Sequence, residues 1–273
     1  MEIKAADVAK LRKMTGAGMM DCKKALMEAE GDYDKAKDII REKGKLVADK
    51  RADRTATEGV VVTKIVGQKA YMLCLACETD FVAKNSEFAA SANQILDIAV
   101  NGDVADLATL LETKNAEGLT VADMVTEKSG QTGEKVELPY YGKIEAPYCA
   151  AYVHINYKLG TLVGFNKPID AQVAKDVAMQ ATAMAPVSIS AADCPAAVIE
   201  KEREIGREQA RLEGKPEAML DKIAEGKVNK FLKENTLLSQ PLVKNNKLSV
   251  EQYIKEADKE ATVVAYKRFS LID

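Results

Sequence analysis

Two cysteines three residues apart, Cys74-Leu-Ala-Cys77, make the one spacing in this chain that suggests metal binding or thiol–disulfide exchange. Both chemistries need the sulfurs to converge, on a turn or at a helix N-terminus. Here the pair falls inside Ala70–Cys77, a run that reads as a β-strand, and an odd separation sends the two side chains to opposite faces. No second CxxC or CxxH supplies further ligands. Buried structural thiols are therefore expected, in line with the preference of free cysteine for the interior. The chain has five cysteines in all, an odd number spread too widely for a disulfide framework. His154 is the only histidine. It lies in a predicted strand among Val153, Ile155 and Tyr157 and reads as a packed or surface side chain, because a metal site needs several donors. Hydrolytic triads and catalytic zinc sites draw on histidine, so its scarcity argues against an enzyme. Neither a P-loop nor a GxGxxG after a strand is present, which leaves no loop for holding a nucleotide.

Thr79-Asp80-Phe81-Val82 is the unusual segment. It follows a strand and precedes a helix, a connection that should lie near the surface. Phenylalanine normally goes to the core, so Phe81 has two readings. It is tucked beneath its own helix, or it is an aromatic anchor for a partner's pocket, beside a carboxylate. Residue pattern alone does not separate them.

The elements that must position these residues can be read from periodicity. Val8 and Leu11 mark a first helix that breaks at Gly16 and Gly18; Met19, Cys22, Leu26 and Ala29 mark a second. Gly31 stops that helix and Asp32 is placed to cap a third, carrying Ala36, Ile39 and Ile40. The charged tract Arg41–Arg54 reads as a linker with some helical character. The period then changes to two: Val60–Val66 and Ala70–Cys77 are strands around a Gly67-Gln68 turn. A helix is expected over Ser86–Val100, a short one over Val104–Leu111, and mixed structure through Gly133. Strand character runs from Lys135 to Phe165 with breaks at Pro139, Pro147 and Gly160. A helix over Ala171–Met184 follows. Ala196–Glu213 is dense in charge, with Val198, Ile205 and Leu212 seven apart, and a second helix carries Leu220, Ile223, Val228 and Phe231. Gly214 and Pro216 between them suggest an antiparallel hairpin with a thin apolar seam. A helix at Val250–Ala257 and a strand at Thr262–Leu271 close the chain.

The expected fold class is α+β: a small N-terminal three-helix module of ubiquitin-associated type, a two-part α+β core, and an inserted helical hairpin. The expected boundaries are 1–54 for the module and charged linker, 55–141 for the first core part, 142–188 with 232–273 for the second, and 189–231 for the hairpin. A net charge of −3 gives no basic field for nucleic acid, and 5% aromatics without tryptophan make no stacking platform. No apolar run approaches the roughly 20 residues that span a bilayer. The charged N-terminus lacks a signal-peptide core, so a cytoplasmic protein is expected.

Two strings are long enough to carry a family resemblance. Thr15-Gly-Ala-Gly-Met-Met-Asp-Cys-Lys-Lys-Ala-Leu26 resembles the N-terminal signature of the elongation factor Ts family, and Thr79-Asp-Phe-Val-Ala-Lys84 resembles its second signature. Their order and separation fit, and the similarity extends over most of the chain. It departs at Phe269-Ser-Leu-Ile-Asp273, short of a C-terminal helical segment that some members carry.

The resemblance implies a guanine nucleotide exchange factor for elongation factor Tu, acting in the cytoplasm on its GDP-bound and nucleotide-free forms. It implies no covalent chemistry, no cofactor, no metal, no direct nucleic-acid partner and no membrane, and it leaves a homodimer or a two-to-two complex open. Met19, Met20, Cys22 and Lys23 match the signature that contacts the GTPase. Arg51 stands where the family carries a basic contact residue. Thr79, Asp80, Phe81 and Val82 match the segment whose Asp–Phe pair intrudes near the magnesium site, and His154 matches a core histidine at the same interface. Two rivals remain: a general helical recognition module, and a redox or metal protein built on Cys74 and Cys77.

Overall fold

The computed structural model describes residues 3–272. They form an α+β fold in two compact units. The first holds the chain up to Val62, Leu73–Gly142 and the residues from Leu271 on; the second holds Thr63–Met72 and Lys143–Ser270.

The chain opens with three helices, α1 (Ala5–Thr15), α2 (Met19–Glu28) and α3 (Tyr33–Lys50). Val8, Leu11, Cys22, Ala25, Leu26 and Ala36 make their small core. Asp32 caps α3 by accepting from the amides of Asp34 and Lys35 at 2.9 and 3.1 Å. The tract expected as a linker is largely the second half of α3, which runs unbroken to Lys50. Lys, Glu and Ala are good helix formers, and a charged face does not end a helix that has a surface to lie on. That surface is α7 (Val121–Thr132). A Cβ built on Gly130 would sit 2.4 Å from the Cα of Gly44, so the two helices cross with their backbones nearly touching. Arg41 and Glu127 pair across the crossing at 2.8 Å, and the Gln131 amide donates to the Thr15 carbonyl at 2.5 Å.

Between them lie β1 (Glu58–Val66), β2 (Lys69–Cys77), the single turn α4 (Asp80–Ala83), α5 (Ser86–Asn101) and α6 (Leu107–Glu112). The strand β3 (Glu137–Glu145) completes a sheet ordered β1-β2-β3. Every residue of β2 from Ala70 to Cys77 is buried, as a central strand covered on both faces requires. Pro139, expected as a break, lies inside β3; an edge strand tolerates the missing N–H.

In the second unit, β4 (Tyr148–Val153), β5 (Leu159–Phe165) and β8 (Val263–Ser270) form an antiparallel sheet ordered β4-β5-β8. Pro147 does fall between β3 and β4, but Gly160, also expected as a break, pairs within β5 with Val153 and Phe269. The helix α8 (Ala171–Met184) lays Val173, Val177 and Ala181 into a core shared with Val163, Phe165 and Val263. Two helices, α9 (Ala196–Leu212) and α10 (Glu217–Asn235), make the hairpin. A short β-hairpin, β6 (Pro241–Leu242) with β7 (Asn245–Ser249), leads into α11 (Val250–Ala257).

The seam of the α9–α10 hairpin differs from the heptad reading. Ile205 and Leu212 are exposed, Leu212 at 80%. Gly206 and Ala210 are buried instead, facing Leu220, Ala224 and Val228. A Cβ on Gly206 would lie 3.1 Å from the Ala224 Cα, so small residues set a close approach in place of a leucine seam. Arg203–Glu225, Arg207–Asp221 and Lys227–Glu213 pairs flank it.

Candidate functional site

Thr79–Val82 sits where β2 runs out and α5 has not begun. Its backbone makes one helical turn: the Ala83 amide donates to the Thr79 carbonyl at 3.2 Å and Lys84 to Asp80 at 2.9 Å. Asn85 then caps α5 through the Glu87 amide at 2.9 Å. That single turn places Ala83 inward and Phe81 outward. The Phe81 residue is 85% exposed. Among the two readings of this side chain, the tucked one does not hold: the described residues leave the ring largely uncovered. Val82 is half-buried at the turn's flank.

Asp80 points along the turn to Lys84, which donates to it at 2.6 Å. This hydrogen bond, with the charge behind it, holds the Asp80 carboxyl below and the Lys84 ammonium above their ordinary values. Both groups are at the surface and rotatable, so a competing ligand meets little resistance in separating them.

The base of the turn is the opposite. The Thr79 hydroxyl, which would ordinarily cap the helix that follows, instead donates to Glu134 Oε1 at 2.6 Å. Glu134 Oε2 accepts from the amides of Thr79 and Glu78 at 3.0 and 3.1 Å. Glu78 answers reciprocally: its Oε1 accepts from the Lys135 amide at 2.7 Å, and its carboxylate is held by Arg51 Nη1 at 3.1 and 3.2 Å. The Cys77 thiol donates to the Thr79 carbonyl at 3.3 Å.

Arg51 is thereby brought to the turn through Glu78, engaged with its own chain. Met19, Met20 and Lys23 are exposed on α2, Met20 at 63%. Cys22 is fully buried in the core of the three-helix module, where its thiol donates to the Ala17 carbonyl at 3.7 Å. It supports α2 from beneath, and its side chain has no surface to offer a partner. His154 belongs to the second unit and lies past the end of β4, in the turn to β5 and outside the strand. Its amide donates to the Leu159 carbonyl at 2.8 Å, and the turn leaves Ile155 83% and Tyr157 61% exposed. Tyr157 is held at φ 58°, a left-handed backbone uncommon for a side chain of that size.

Cys74 and Cys77 are buried, and burial pushes both thiols up to about 12, far from the thiolate that metal binding or exchange would use. All five cysteines are free and buried. Among the described residues no cluster of three His, Cys, Asp or Glu side chains is arranged to hold a metal, and no helix is long and apolar enough to cross a membrane. Glu78 and Glu134, which fix the turn, had no motif to mark them in the sequence.

The fold and this site define a class: an α+β protein with a fixed pedestal that carries an outward aromatic. The family described as Elongation factor TS matches residues 78–272. An elongation factor Ts from Porphyromonas gingivalis is 47% identical over 271 residues, covering 99% of both chains. One from Christiangramia forsetii is 46% identical over 274 residues, again covering 99% of both. One from Thermobifida fusca is 46% identical over 273 residues, 98% of this chain and 97% of that one. These relatives extend the likeness over the N-terminal module, which the family match leaves out. The chain belongs to the elongation factor Ts family and is a translation elongation factor.

Proposed function

We propose that this chain is the guanine nucleotide exchange factor of elongation factor Tu, which it binds in GDP-bound and nucleotide-free forms in the cytoplasm. The observation that carries the reading is the exposed Phe81 ring on a turn whose base is hydrogen-bonded at every polar atom of Thr79. A GTPase holds its nucleotide through phosphate-loop amides, a lysine and a magnesium ion that tolerates little distortion. A ring driven into the neighbourhood of that ion displaces its supports, and burial of the ring, about 1.5–3 kcal/mol, supplies part of the work. Asp80, freed from Lys84, places a carboxylate beside the same wedge. Linkage makes the effect reciprocal: as the factor weakens nucleotide binding, incoming nucleotide weakens the factor's grip by the same amount, and the cycle turns over. No bond is made or broken, so the role needs no catalytic residue. Met19, Met20 and Lys23 on α2, and His154 with its exposed turn, are the further contacts of this reading. Arg51 acts through Glu78.

The direct test loads elongation factor Tu with fluorescent GDP and follows its release against excess unlabelled GDP. Addition of this chain should accelerate release in a concentration-dependent, saturable manner. Saturable binding with an unchanged release rate would refute exchange and leave a recognition module.

A further inference from the structure

We propose that Glu134 is a positioning residue: it clamps the residue from which the Phe81 turn springs and so fixes where the ring is presented. The inference rests on the exchange reading above for its functional consequence, but its structural part does not.

Glu134 reaches this place through the end of α7. Gly133 ends the helix in the left-handed region, at φ 72°, with its amide donating to Ser129. That reversal brings the next residue to the end of β2. The Glu134 carboxylate then takes three donors, the Glu78 amide, the Thr79 amide and the Thr79 hydroxyl. A carboxylate is the group that can accept all three at once, since it has two oxygens and no proton to place. Glu78 returns the contact on the Lys135 amide. The two segments are thus laced in both directions, and the helix behind Glu134 is itself seated on α3 at the Gly44–Gly130 crossing.

The lacing stops at Thr79. Two residues on, Phe81 is 85% exposed. A surface connection normally keeps some freedom, which a partner must remove on binding. Here the base of the turn is tied down in advance by the three bonds to Glu134. The Thr79 hydroxyl gives up its capping position on the turn for a bond to a segment 55 residues away. Holding that hydroxyl fixes the direction in which the turn starts.

The chain contains no tryptophan, so Phe81→Trp creates a single tryptophan at the ring, which can be excited selectively over the nine tyrosines. In that background the protein alone should show high time-resolved anisotropy. Glu134→Ala should add a fast depolarising component, and Glu134→Gln, whose oxygen still accepts from both backbone amides and whose NH2 can donate to the Thr79 hydroxyl in a reversed bond, should not. In exchange assays with elongation factor Tu, Glu134→Ala should lower stimulated GDP release by about threefold to thirtyfold, never beyond Phe81→Ala, with Glu134→Gln close to the parent. Combined with Phe81→Ala it should add nothing further, because it acts through the ring. Thr79→Val, which removes one of the three bonds, should show the same non-additivity if Glu134→Ala folds poorly. Unchanged anisotropy in Glu134→Ala, or losses that multiply in the double variant, would overturn the positioning role. Full activity in Phe81→Ala would remove the wedge, and no stimulated GDP release by the parent would overturn the exchange reading instead, with the anisotropy result still standing.

Discussion

Phe81→Ala is the substitution for which the structure allows both sides of a free-energy comparison to be worked out. In the isolated protein the residue is 85% exposed, so truncation removes almost no folded-state packing. Unfolding should shift by no more than about 0.5 kcal/mol, the usual range for a surface change. In a complex that buries the ring, the same truncation forfeits about 1.5–3 kcal/mol. At about 1.4 kcal/mol per factor of ten, that is roughly a ten- to hundredfold loss of stimulated GDP release. The two measurements belong on one preparation: thermal denaturation of the variant, and stopped-flow release of fluorescent GDP from elongation factor Tu with variant or parent. An early melt with normal exchange would mean that the ring holds the fold, and the mechanism would be wrong. An unchanged melt with unchanged exchange would leave the ring exposed yet idle, and would equally remove the wedge.

Three further substitutions concern the frame. Gly206→Val in α9 must push against the Ala224 backbone, 3.1 Å from an ideal Cβ, and should destabilise the hairpin by about 1–3 kcal/mol. Gly226→Ala, on the same hairpin but with open space around it, should stabilise by up to about 1 kcal/mol; amide hydrogen exchange across α9 and α10 reads both, and equal signs would refute the close-approach seam. Asp176, buried in α8, is pushed up by burial, but bonds from Lys244 at 2.6 Å, Tyr253 at 2.8 Å and Gln172 at 2.7 Å outweigh that and hold its carboxyl below the ordinary value. A depressed folded value gives stability that is present above the unfolded carboxylate range near 4 and is lost as pH falls through the folded value. Asp176→Asn should therefore lower stability by about 1–3 kcal/mol at neutral pH, with the gap to the parent closing in acid; a gap of equal size at pH 7 and pH 3 would refute the assignment.

What was legible in the sequence followed from large apolar residues at regular spacing. The helix α8 and the helix α11 were expected over the residues they occupy, because Val173, Val177, Val250 and Ile254 recur with the helical period. The strand β2 was legible as an apolar run after the Gly67-Gln68 turn, and its two cysteines are buried as expected. Failures cluster where small residues do the packing. The helix α7 has only Val121, Val125 and Ser129 buried on its inner face, with Gly130 at the crossing, and Asn101–Gly133 read as mixed structure. A glycine that admits another backbone to contact contributes nothing to a hydrophobic pattern. The α9–α10 seam failed likewise: Val198, Ile205 and Leu212 are conspicuous at sevenfold spacing, while Gly206 and Ala210 make the contact.

The site divides along the same line. Phe81 stood out because a large apolar residue in a connection is itself an anomaly, and the structure gives that anomaly its exposure. Glu134 could not stand out. Charged residues are common after helices, and none of its three donors is near it in sequence, the closest lying 55 positions away. Two of those donors are backbone amides, which any sequence would provide. A carboxylate that reads main chain leaves no partner residue type to search for, so only the fold reveals it. The visible half of such a site is the side chain that meets the partner; the half that aims it is written in backbone geometry.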